Sequence, residues 1–184
     1  ADAEAASIMD TLQQTFEINR FWVQNKGYES NLRRSQFMRA NLLRYWRAEK
    51  AKGRTPKVFF KFGGAHVMRG LTLSDIYDFG TMVPDIAALE GGQSFHVLVT
   101  GGAGSKHAVF NPVQFQYAPT PIDPDDEYYF GQFVSQAFPD GHTVFDLRPV
   151  RPILAGGRVK AADPNLVRIV HGFDAMVVLP GAHA

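Results

Sequence analysis

His66 closes the stretch KVFFKFGGAH, residues 57 to 66, and the residue types that lead to it can do hydrolytic chemistry. A histidine side chain can take a proton from water or a hydroxyl near neutral pH. Gly63 and Gly64 ahead of it let the backbone bend sharply and let a ligand approach the main chain closely. Arg34 or Arg69 can stabilise a developing oxyanion. Lys61, the charged residue inside an apolar run, and Asn41 complete a candidate substrate-binding set with Gly63, Gly64 and Arg69. A working base also needs an orienting carboxylate, for which Asp75, Asp78 and Asp174 are the candidates.

Other chemistry finds less support in the spacing. The remaining histidines, His96, His107, His142, His171 and His183, show no HxH or HxxxH pattern, so no metal site built by this chain alone is expected. TGGAGSKH, residues 100 to 107, is glycine-rich but lacks the GxxxxGK[ST] spacing of a phosphate loop. PTPIDPDDEYY has clustered acids without the sixth-position glycine and closing glutamate of a calcium loop. The chain has no cysteine, which excludes disulfides and thiolate catalysis.

These residues must be positioned by a mixed α/β scaffold. Apolar positions at Ile8, Met9, Leu12, Phe16, Ile18 and Phe21–Trp22 predict a first helix over 3–25 that Gly27 closes. Ser30 or Asn31 caps a second long helix that runs to Lys52 and stops at Gly53 and Pro56. Val58, Phe59, Phe60 and Phe62 make 57–62 apolar on both faces, which predicts a strand inside a parallel sheet with His66 just past its carboxyl end. Ligands of open α/β sheets bind at that end. Residues 81–90 then read as a short helix and 94–100 as a strand, parallel to 57–62 through a crossover. Residues 101–124 read as a long irregular excursion. A helix over 123–138 and strands in TVFDLRPV and VRIVHGFDAMVVLP follow. The expected fold is one α/β domain over 1–184, with a mixed, largely parallel sheet flanked by helices and two long N-terminal helices.

On the second helix, at about 100° per residue, Arg34, Met38, Asn41 and Tyr45 fall within an arc of roughly 60°. An arginine on that inward stripe needs a carboxylate, an anionic ligand or a cluster of carbonyls, because an unpartnered buried guanidinium costs several kcal/mol, about the scale of a whole domain's stability. Arg33, Arg44 and Arg47 fall on another face and read as solvated.

The order RSQFMRAN (Arg34, Met38, Asn41), KVFFKFG and GGAH resembles the carboxy-terminal half of erythromycin esterase-like proteins. That family belongs to a wider group with the TraB and Tiki proteins, which share a GxxH signature. FGTMVPDIAALEGGQSFHVLVTGG is similar to the family's glycine-led helix and next strand, with Gly80 at the matching glycine. VFDLRP and GFDAMVVLP, with Asp174, resemble its late strands, so the likeness extends from about residue 30 to 180. The resemblance implies an α/β hydrolase whose cleft is shared between two halves of a longer chain, with the helix arginine and the strand-end histidine on this side. It implies that another histidine and acidic residues come from an amino-terminal half, or from a second subunit. Some Tiki-like relatives use a divalent metal, which here would draw on ligands from that missing half. This chain has Gly63 where many of the esterases carry a second histidine.

At 184 residues, 45% hydrophobic and with a net charge of +1, the chain can build a full core and has no global pull toward nucleic acid or anionic lipid. No apolar run approaches the roughly 18 residues of a membrane span. Locally, 11 Lys or Arg against Glu29 and Glu49 between residues 26 and 61, with Tyr45 and Trp46 among them, raise RNA or single-strand binding as an alternative. A non-catalytic binding or assembly module of the same fold is the other alternative. It predicts exposed apolar residues on the first helix. The chain opens at Ala1, which reads as a processed or truncated product, cytoplasmic or, after loss of a signal peptide, periplasmic or secreted. A small-molecule substrate is expected.

Overall fold

The computed structural model describes residues 2–111, 114, 116–121, 131–157, 159–161 and 163–181. Two long helices, α1 (Ala3–Val23) and α2 (Gly27–Ala51), pack as an antiparallel hairpin. Asp2 caps α1 by accepting from the Glu4 N–H. The helix ends earlier than expected, because Asn25 rather than Gly27 takes the left-handed turn, at φ 58°. α2 begins at Gly27, so Ser30 lies inside it instead of capping it. Its buried hydroxyl donates to the Ile18 carbonyl 2.9 Å away and ties the two helices together.

The expected strand over 57–62 does not form. Residues 54–63 have no regular secondary structure and carry no ladder hydrogen bonds, and Phe59 is 91% exposed. An apolar run can form a strand only where a neighbour supplies the complementary ladder, and among the described residues none lies alongside. Phe60 and Phe62 instead pack on Phe79, with ring centroids 4.8 and 5.3 Å away. The crossover pairing with 94–100 is therefore absent as well.

α3 (Gly64–Val67) is a single turn, and α4 (Phe79–Leu89) follows, with Pro84 in its interior. β1 (Val97–Gly101) leads into a hairpin of β2 (Lys106–Asn111) and β3 (Gln116–Pro121). Its antiparallel register, Lys106 opposite Pro121 through Asn111 opposite Gln116, replaces the irregular excursion expected there. Of the helix expected over 123–138, α5 (Gly131–Ser135) is observed, and residues 122–130 lie outside the described residues, as does His183. β4 (Thr143–Asp146), α6 (Arg151–Ala155), α7 (Pro164–Gly172) and β5 (Ala175–Leu179) complete the chain.

The segment VRIVHGFDAMVVLP, residues 167–180, expected as one strand, is thus split. Asp163 accepts from the Asn165 N–H at 2.7 Å, Pro164 starts the first turn, and the cap makes 164–172 helical despite its β-branched residues. β5 lies between its neighbours in the order β1-β5-β4, parallel to β1 and antiparallel to β4. The sheet is mixed, and helices flank it. Its inner face, with Met176 and Val178, joins Met68, Leu147, Ile169 and Phe173 in the core.

Candidate active site

His66 sits in the α3 turn, where its backbone N–H donates to the Gly63 carbonyl at 3.0 Å. Its Nδ1 lies 2.6 Å from Oδ2 of Asp78, and its side chain keeps 19% exposure. Asp78 is the cap of α4, 1% exposed, and its Oδ1 accepts from the Phe79 N–H at 2.6 Å. Burial alone would push the Asp78 carboxyl up, but the bonds from the His66 ring and the Phe79 N–H work against it, and the carboxyl lies below its ordinary value. With an ionised acceptor at Nδ1, the neutral imidazole carries its proton there and has its lone pair at Nε2.

Two glycines make this contact sterically feasible. A Cβ on Gly80 would overlap the Val67 carbonyl and lie 2.7 Å from the Met68 oxygen, so only glycine lets the first turn of α4 press against α3. A Cβ on Gly64 would come within 2.8 Å of the Leu98 side chain, so this turn lies directly on β1.

Beside the pair lies a second polar hub. Asp174, 5% exposed, accepts from Arg69 at 2.7 Å, from Arg151 at 3.0 Å and from the His96 backbone N–H at 2.8 Å. Arg151 also donates to the carbonyls of Val170 and Phe173, at 3.0 and 2.5 Å. Burial would raise the Asp174 carboxyl, yet the bonds from Arg69, the His96 N–H and Arg151 bring it below its ordinary value. His96 places Nδ1 2.7 Å from the Val67 carbonyl, which can only accept. Nδ1 is therefore protonated, and Nε2 takes the Ser94 hydroxyl at 3.0 Å. Burial depresses the His96 imidazole below its ordinary value, even though the Val67 carbonyl favours its proton.

The expected location needs correction. His96 and Asp174 directly precede β1 and β5, so α3 meets this parallel pair at its amino end, where Val67 accepts from His96. The carboxyl-end placement depended on a strand at 57–62, and that strand is missing.

The candidate residues are only partly brought together. Gly63, Gly64, His66 and Arg69 share the α3 segment, although Arg69 is bound to Asp174. Lys61 is exposed on the irregular run before α3. Asn41 accepts from Arg44 of its own helix at 3.0 Å. Arg34 is half-buried, and neither a carboxylate nor a carbonyl partner for it is found among the described residues. Its neighbour Arg33, expected to be solvated, pairs with Glu17 at 3.0 Å and has a buried Nε without a partner. The inward face of α2 is turned relative to the expected stripe: Ser30 and Ser35 are fully buried and Tyr45 is 63% exposed.

Sequence spacing left Asp78 as one of three candidate carboxylates, and nothing in it singled out Arg151 or His96. Among the described residues no group of three or more His, Asp or Glu converges on a metal-sized site. No described helix is long and apolar enough to cross a membrane. Comparison of the chain with protein families, with curated proteins and with solved structures returns no match.

Proposed function

We propose that the chain carries one side of an esterase-like hydrolytic site, as its resemblance to the erythromycin esterase-like family implies. The observation that supports this reading is the half-buried imidazole of His66, 19% exposed, held at 2.6 Å by the buried carboxylate of Asp78. In this reading Nε2 removes a proton from water as the water oxygen attacks the carbonyl carbon of a small ester. The imidazolium then returns the proton to the departing alkoxide as the acyl–oxygen bond breaks. Asp78 stabilises the imidazolium. Arg34, whose charge is uncommitted among the described residues, is the candidate for the oxyanion, with Gly63, Gly64, Lys61, Asn41 and Arg69 as candidate contacts to substrate.

The other side of the cleft is assigned to an amino-terminal half of a longer chain or to a second subunit, together with any ligands for a divalent metal. Hydrolysis of a small chromogenic ester by the chain within its longer precursor tests the reading. His66→Ala should abolish turnover while the protein stays folded, with a stability loss of about 1–3 kcal/mol for the donor removed from Asp78. Equal turnover in variant and parent rejects it.

A second reading, a binding or assembly module, is favoured by the uncovered apolar surface. Met9, Leu12 and Phe16 on α1 are 66%, 47% and 73% exposed. On the sheet, the register aligns Val99, Val177 and Val144 in one row, and Val99 and Val144 are exposed. An apolar row that crosses three strands is the kind of face a parallel pair normally buries. RNA binding is less well supported. Much of the basic charge on and after α2 is already tied, with Arg33 to Glu17, Lys50 to Glu90, and Lys52 and Arg54 to Glu49.

A further inference from the structure

α1 carries two apolar faces, and α2 covers one of them. Ile18 is buried on that side, and the Arg44 guanidinium on α2 donates to the Ser7 hydroxyl of the same face at 3.3 Å. Roughly 140° round the helix from Ile18, at about 100° per residue, runs a second row: Ala5, Met9, Leu12, Phe16, Asn19 and Val23. Its steps alternate between four and three residues, which is the spacing of a seam that packs on another helix. All but the half-buried Asn19 are exposed. A shallow groove of about 720 Å³ follows the row from Met9 past Leu12 and Phe16 to Arg20, and Asp10 and Glu17 border it. A helix that is apolar on both sides suits a place between two layers, and the fold supplies one.

We propose that this row is the contact between two copies of the chain, with α1 of one packed antiparallel on α1 of the other. The row is self-complementary in that orientation. Setting Leu12 opposite Phe16 of the second copy also sets Met9 opposite Asn19 and Ala5 opposite Val23, so every position is used and a small residue meets a larger one at each end. Sliding the helices by one heptad leaves Asn19 and Val23 facing solvent. In the full register Ile8 flanks the second copy's Trp22, and both are exposed. Arg20 of each copy enters the acidic groove of the other beside Asp10. Among the described residues neither Arg20 nor Asp10 is in an ion pair: Arg20 lies over the Phe21 ring and Asp10 accepts from Gln14. Two-fold symmetry makes this charge match twice. A parallel pair would instead set Phe16 against Phe16, gather both arginines at one end and align the helix dipoles, which the antiparallel pair opposes. Two hairpins joined this way form a four-helix bundle with the α1 pair at its centre. The seam is one helix long, roughly 30 Å, so it is smaller than an obligate interface and points to a dimer in the micromolar range.

The test is sedimentation velocity of the 184-residue chain across the micromolar range, in which a dimer should grow with concentration. Leu12→Glu, at an exposed position, should keep a parental circular dichroism spectrum and stay monomeric throughout. Asp10→Arg alone and Arg20→Glu alone should each raise the dimer Kd by about tenfold or more, because each turns two attractions into two repulsions. Both changes together restore the pairs and should return the Kd to near the parental value. The chain has no cysteine of its own, so Thr15→Cys, which falls beside the two-fold axis, should be joined to its counterpart by a short bismaleimide. A parent that stays monomeric, a dimer that survives Leu12→Glu, a double variant no tighter than the single ones, or a Thr15→Cys dimer that does not cross-link overturns the proposal. The proposal rests on the assembly reading and names its partner. A monomeric chain ends the proposal and leaves that reading to a partner of different chemistry.

Discussion

His66 and Asp78 meet at 2.6 Å across a loop that places one in a helical turn and the other at the cap of the next helix. This contact makes a tautomer statement. Asp78→Asn removes the charge that favours Nδ1–H, and its amide can donate to the ring as readily as accept from it. Long-range proton–nitrogen spectra of the imidazole should therefore show the parent mainly as the Nδ1–H form and the variant shifted toward Nε2–H. On the proposed hydrolytic reading the same change should lower kcat by about 100-fold or more with KM little altered, as loss of an oriented base does. An unchanged tautomer ratio would show that the carboxylate does not orient the ring.

Gly80 is the steric condition for that contact. A methyl group there would collide with the backbone of Val67 and Met68, and neither can swing away as a flexible side chain could. Overpacking against fixed main chain costs about 1–3 kcal/mol, and this overlap belongs at the upper end or beyond. Gly80→Ala should lower the urea midpoint accordingly and weaken the His66 Nδ1–H signal, because α4 must retreat from α3. A variant of parental stability would mean that α4 does not press on α3 as described.

The sequence was legible where local rules decide. Helical spacing and the Gly53 and Pro56 stops located the two long helices to within a few residues, and Gly91 and Gly92 marked the end of α4. Gly80 was singled out by family likeness, while its physical role, a close backbone approach, became visible only in three dimensions. Residues 57–62 misled because their composition suits a buried strand, but strand formation depends on a neighbour that local sequence cannot supply. Residues 164–172 misled in the opposite sense, since the Asp163 cap and Pro164 outweighed the β-branched run that follows. The inward stripe of α2 was misjudged by about one residue, roughly 100° of rotation. That error exchanged Arg34 for Arg33 as the paired arginine and hid Ser35 altogether.

His96 gives the fold a pH dependence distinct from that of the carboxylates. Its imidazole is neutral, with Nδ1–H on the Val67 carbonyl and Nε2 accepting from Ser94, and burial holds its pKa below the ordinary 6.5. Below pH 6.5 the unfolded chain takes up this proton more readily than the folded one. The stabilisation is therefore complete above that pH and declines as the pH falls toward the lowered folded value. Asp78 and Asp174 also have lowered values, and each adds a separate loss that begins near the ordinary 3.8 and deepens toward its folded value. Between pH 8 and pH 5 the urea midpoint should thus decline through His96, well before the carboxylates protonate. His96→Asn keeps an N–H near the Nδ1 position and cannot titrate, so its midpoint should start lower but change less over the same interval. A parent midpoint that is flat or rises on acidification, or an equally steep decline in the variant, would remove His96 from the account. The strut between β1 and the turn that carries His66 would then need another explanation.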